Sequence, residues 1–141
     1  MSGMVTVETD ADPWAFLDSV ENDGRAEDAR VVTRLMADVT GWPPRMWGDS
    51  IIGFGRYEYT RADRSRHQFL RVGLSPRKAN LTVYLMPGVK NYADQLALMG
   101  KYKNSVSCLY LGRLKGLNLD ILGDVIGRSV EDMARMYPEG S

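Results

Sequence analysis

The chain has 141 residues, enough for one domain with a core that needs no disulfide or metal staples. Hydrophobic residues make up 44% and charged residues 26%, a globular balance that argues against wholesale disorder. Lys plus Arg and Asp plus Glu number 18 each, so the formal net charge is zero; this argues against a general nucleic-acid binder and leaves room only for a local basic patch.

The lone cysteine, Cys108, has no internal partner for a disulfide. The N-terminal residues lack the basic start and apolar run of a secretory leader, and no apolar stretch approaches the roughly 18 residues of a membrane span. The expectation is a soluble, cytoplasmic protein with no membrane partner.

Residues 1–11 read as a flexible tail, with a single domain over 12–138. Asp12-Pro13 opens a short helix, since Asp caps free backbone N–H groups and Pro suits the first helical position. Trp14, Phe16, Leu17 and Val20 give it an apolar face, and Asn22-Asp23-Gly24 breaks it. A second helix is predicted from Arg25 to Val39, where Ala29, Val32, Leu35, Met36 and Val39 recur at helical spacing; Gly41 caps it. Trp42-Pro43-Pro44 is extended. Strands are predicted over Ile51–Tyr59, Gln68–Leu74, Leu81–Met86 and Ser107–Leu111. Ser75-Pro76-Arg77-Lys78 is a turn, Asn91–Met99 a short helix and Lys101–Asn104 a basic loop. A last helix runs from Asn118 to Met136, with Met133 and Met136 as core filler alongside Met36. Strands cluster instead of alternating with helices, so the fold class is α+β: an antiparallel or mixed sheet of four to five strands packed with N-terminal and C-terminal helices.

Several short motifs stand in a fixed order: Pro44-Arg45-Met46-Trp47-Gly48, Gly53-Phe54-Gly55, Ser75-Pro76-Arg77-Lys78, Leu81-Thr82-Val83-Tyr84-Leu85-Met86-Pro87-Gly88, Gly100-Lys101 and Ser107-Cys108-Leu109-Tyr110. In this order they resemble the YdhG-like domain family, a bacterial family largely of unknown function, from about Phe16 to the end of the last helix. The resemblance implies a small α+β fold. Some relatives are described as frataxin-like intracellular iron chaperones. The chain departs from the family pattern at Glu58 and Tyr102, where histidine is frequent, and at Val106, where lysine is. Those departures weaken an imidazole-based metal site and thin an anion site.

Three functional readings follow. The first is a small binding module for an anion or anionic metabolite, at a sheet end where Arg45, Trp47, Ser75, Arg77, Lys78, Tyr84 and Lys101 converge. Guanidinium groups grip carboxylate or phosphate, lysines add point charge and aromatic rings add an apolar wall. The plainer account of Ser75–Lys78 is a polar hairpin turn. The second reading is iron handling, which here would use the carboxylates of Glu21, Asp23, Glu27 and Asp28; the plainer account is a solvated helix start. The third is a homodimer or adaptor working through a sheet edge. One histidine and one cysteine cannot build an ordinary zinc site. Gly53-Phe54-Gly55 lacks phosphate-loop spacing and signals a bulge or close backbone packing. His67 is expected to be exposed, and Cys108 buried and inert. No catalytic constellation emerges, so the reading leans away from an enzyme and calls for no cofactor.

Overall fold

The computed structural model describes residues 6–138. Among these residues, nine strands and four helices follow one another: β1 (Glu8–Thr9), α1 (Pro13–Asp18), α2 (Asp23–Thr40), β2 (Arg45–Trp47), β3 (Ile51–Phe54), β4 (Tyr57–Thr60), β5 (Arg66–Phe69), β6 (Val72–Pro76), β7 (Leu81–Leu85), α3 (Ala93–Met99, entered through a 3-10 turn at Val89–Tyr92), β8 (Lys103–Asn104), β9 (Cys108–Leu111) and α4 (Leu119–Met136). Seven strands form one sheet in the order β1-β2-β3-β6-β7-β9-β8, and β4 pairs with β5 separately. Every pairing is antiparallel.

The class is α+β, but the expected count of four to five strands is too low. β1, β2 and β8 span only two or three residues, too few for an alternating pattern to register. Glu8–Thr9, placed by the sequence in a loose tail, pairs with Met46–Trp47 as an edge strand. The part of that tail over residues 1–5 lies outside the described residues. The other strands arise by division. The predicted Ile51–Tyr59 and Gln68–Leu74 form one hairpin in continuous register, Ile52 opposite Leu74 at one end and Thr60 opposite Arg66 at the other. The ladder breaks at Gly55-Arg56 and Leu70-Arg71, where Gly55 takes φ 66° and the Trp42 ring stacks over it.

Three of the helices, α1, α2 and α4, begin on side-chain caps that the sequence displays. The Asp12 side chain accepts from the Trp14 amide (2.9 Å), Asn22 from Arg25 (2.9 Å) and Asn118 from Asp120 (3.0 Å). Gly41 closes α2 in the left-handed region. One sheet face packs Ile52, Phe54, Leu74, Val83 and Leu109 against Val32 and Met36 of α2 and Leu122, Val125 and Ile126 of α4, forming the main core. Met36 and Met133 are buried as expected; Met136, the last residue of α4, is exposed. Among the described residues no helix is long and apolar enough to cross a membrane.

Candidate functional site

The opposite sheet face is shaped by two glycines. Arg45, Gly53, Gly73, Tyr84 and Cys108 stand side by side across β2, β3, β6, β7 and β9, so they share one face. The missing side chains leave a trough that Trp47 and Leu70 fill. A Cβ on Gly53 would lie 2.6 Å from atoms of both, and one on Gly73 would lie 2.6 Å from the Ile52 carbonyl oxygen. Trp47 is 1% exposed and meets Phe69 edge-to-face at 5.7 Å. Its Nε1 is buried with no hydrogen-bond partner among the described residues.

The residues singled out in the sequence fall into separate places. Tyr84 and Arg77 meet: Nη2 of Arg77 donates to the Tyr84 hydroxyl at 2.8 Å, and this bond raises the guanidinium pKa further. Ser75 is fully buried, and its hydroxyl donates to the Ser50 carbonyl at 2.6 Å. Trp47 is core to this face and not a pocket wall. Lys78 in the β6–β7 turn and Lys101 after α3 are exposed. Arg45 is three ladder steps from Tyr84, about 14 Å along the sheet. It pairs with Glu8 (2.8 Å) and Asp10 (3.3 Å). Of the expected cluster, then, Arg77 joins Tyr84, while Arg45 belongs to another part of the surface.

That other part is a cleft of about 610 Å³ at the bend of the hairpin. The α2–β2 connection contributes Trp42 and Pro43, and the sheet edge contributes Glu8 and Arg45. The hairpin supplies Arg56, Tyr57, Glu58, Gln68 and Arg71, and Tyr137 and Pro138 close one side from the end of α4. Glu8 bridges two arginines, Arg45 at 2.8 Å and Arg56 at 3.5 Å. Arg71 is different. It is 3% exposed, donates from Nε to the Arg56 carbonyl (2.8 Å) and from Nη2 to the Tyr137 carbonyl (2.6 Å). The second acceptor belongs to the C-terminus of α4, where the helix dipole favours a cation. Among the described residues no carboxylate pairs with Arg71 and no group meets its Nη1.

Tyr57 stands beside it. Burial, then the neighbouring Tyr137 and Tyr59, push its pKa up to about 12 against a weaker opposing pull from Arg71. The phenol is therefore neutral across the physiological range. Its ring lies 4.5 Å from that of Tyr137, and its hydroxyl has no hydrogen-bond partner among the described residues. The sequence reading missed Arg71, Arg56, Tyr57 and Tyr137. Arg71 stands between Leu70 and Val72 in a predicted strand, an alternation that reads as solvent-facing and so gave no signal.

The acidic run does not gather. Asp28 is buried and spent on structure, accepting from Arg113 Nε (2.7 Å) and the Leu114 amide (3.1 Å). Among the described residues no group of three or more His, Cys, Asp or Glu side chains could hold a metal ion. His67 is half-buried, not exposed as expected, because the hairpin loop folds back on it. Its Nε2 lies 2.7 Å from the Ser65 hydroxyl, which is 2.5 Å from Asp63. Hydrogen bonds from Ser65 hold the Asp63 pKa low. The Ser65 hydroxyl donates its hydrogen bond to the Asp63 carboxylate, so in this arrangement His67 donates to Ser65 instead of acting as its base. Cys108 is partly accessible and not fully buried.

Fold and site thus define an α+β protein with one helix-covered sheet face and an arginine- and tyrosine-lined cleft at the bend of a hairpin. A scan against protein-family models, a search of curated proteins and a search of solved structures each found no significant match.

Proposed function

We propose that the protein is a binding module for a small anionic ligand, held in the cleft at the hairpin bend with Arg71 as its anchor. The supporting observation is the burial of the Arg71 guanidinium without a carboxylate among the described residues. A buried cation is costly unless it is both hydrogen-bonded and neutralised. Two carbonyls meet the first need; an anion entering the cleft meets the second. Arg45 is the one residue of the sequence-derived set that takes part, at the rim. YdhG-like membership belongs to the same proposal and rests on the ordered motifs alone.

The test is an NMR titration of the folded protein with sodium acetate, sodium benzoate and inorganic phosphate. At least one anion is expected to shift the Arg56, Tyr57 and Arg71 amides. Arg71→Gln should weaken that binding by about 1.5–3 kcal/mol, the scale of a charge-assisted hydrogen bond. Glu8→Gln should strengthen it, because Glu8 is the internal competitor for Arg45 and Arg56. A gain of affinity cannot come from misfolding, so the second variant guards the first. No response in the cleft to any millimolar anion overturns the reading.

A further inference from the structure

We infer that the ligand is a planar aromatic monocarboxylate, a proposal that rests on the anion-binding reading of the cleft at the hairpin bend. Three features of the cleft select this class.

The first is charge. The lining holds Arg45, Arg56 and Arg71 against Glu8 and Glu58, an excess of one positive charge. Glu8 already serves both Arg45 and Arg56, and Glu58 lies 4.0 Å from Arg66. Among the described residues, only Arg71 is left to neutralise. A single negative charge does that, whereas a polyphosphate would bring further charge against two fixed carboxylates.

The second is the geometry of the donors. The Arg56 and Tyr137 carbonyls fix the guanidinium through Nε and Nη2, leaving Nη1 and the remaining N–H of Nη2 as a planar fork. Two coplanar oxygens match that fork, the arrangement of a carboxylate. Tyr57 adds a neutral phenol, its pKa near 12, that can donate to the same group. Among the described residues its hydroxyl has no other acceptor.

The third is the wall. Trp42, Tyr57 and Tyr137 are half-buried around the cleft, with Pro43 and Pro138 at its mouth. The Tyr57 and Tyr137 rings sit 4.5 Å apart and tilted by 42°, which presents ring faces and edges together. Such walls favour a flat ring over an aliphatic chain of equal area. The volume, about 610 Å³, lies within the range of metabolite sites.

Dissociation constants for sodium benzoate, sodium acetate, benzyl alcohol and inorganic phosphate, measured by calorimetry on the full chain, separate the contributions. Benzoate should bind about tenfold or more tightly than acetate, and benzyl alcohol should be the weakest, since it keeps the ring and loses the charge. Tyr137→Leu keeps the backbone carbonyl that holds Arg71. It should lower benzoate affinity by a larger factor than acetate affinity, a pattern that misfolding would not produce. If acetate or phosphate binds as tightly as benzoate, the aromatic assignment is overturned while the anion site stands. If benzoate binds but shifts amides away from Tyr57, Arg71 and Tyr137, the assignment falls as well. If no anion binds, both readings fall together.

Discussion

At the scale of single residues, Gly73 leaves the sheet least room for change. A Cβ there would stand 2.6 Å from the Ile52 carbonyl oxygen and 2.9 Å from Cδ2 of Leu70. Leu70 can rotate, but the backbone oxygen belongs to the neighbouring strand and cannot move without parting the ladder. Gly73→Ala should therefore cost about 1–3 kcal/mol, the range for overpacking. Gly112→Ala, with no atom within 4 Å of the new carbon, should change stability by no more than about 0.5 kcal/mol. Urea midpoints at unchanged slope report both; equal midpoints would mean that the glycine trough is not tightly packed. Gly53-Phe54-Gly55 was legible as close packing or a bulge, and the structure has both a close approach at Gly53 and a left-handed bend at Gly55. Arg71 was not legible. A charge in an alternating strand reads as solvent-facing, and only the bend buries this one, between carbonyls 15 and 66 residues away in sequence.

At the scale of elements, the hairpin shows why pattern reading merges what structure divides. Register continues across the break, so the sequence reports two strands where the ladder reports four. The helices were easier to read, since Asp12 and Gly41 carry their capping chemistry locally, although Asn22, read as a break, is the cap of α2 and Asp23 and Gly24 belong to that helix. What a local reading cannot give is how α2 is fastened to the far side of the sheet. Asp28 does this: its carboxylate accepts from Arg113 and from the Leu114 amide, just past β9. Arg25 adds a bond to the Gly112 carbonyl at 3.2 Å. Read in sequence, Asp28 belonged to an acidic cluster suited to a metal; its buried position makes it a strut. Asp28→Ala leaves the buried Leu114 N–H without its acceptor and should cost about 1–3 kcal/mol. Arg113→Ala should cost less, because that side chain is 60% exposed and a surface ion pair contributes at most about 1 kcal/mol. Thermal unfolding of the two variants checks the order; a larger loss for Arg113→Ala would place the strength of the link in the ion pair instead of the amide.

At the scale of the whole molecule, α4 is tied down near its C-terminal end by two tyrosines that must stay protonated. Tyr57 packs on Tyr137 just beyond the helix. Tyr92, fully buried, donates to Asp132 Oδ2 at 2.6 Å from beneath it, with the Arg128 guanidinium 5.0 Å over its ring. Burial raises both pKa values, that of Tyr57 from 10.0 to about 12. A raised tyrosine pKa means that the folded state keeps a proton which the unfolded state has begun to lose. The stabilising contribution is therefore complete below pH 10 and disappears as pH climbs through the folded value. Stability should fall across the window from pH 10 to about 12, with α4 among the first elements to loosen. Urea midpoints taken across that window, with tyrosinate absorbance followed in parallel, give the test. Tyr57→Phe removes the strongest titration and should flatten the fall without abolishing it, because Tyr92 still titrates. A stability curve that stays level through the window would mean that neither phenol is held by the packing of α4, and the clamp that places Tyr137 beside Arg71 would lose its physical basis.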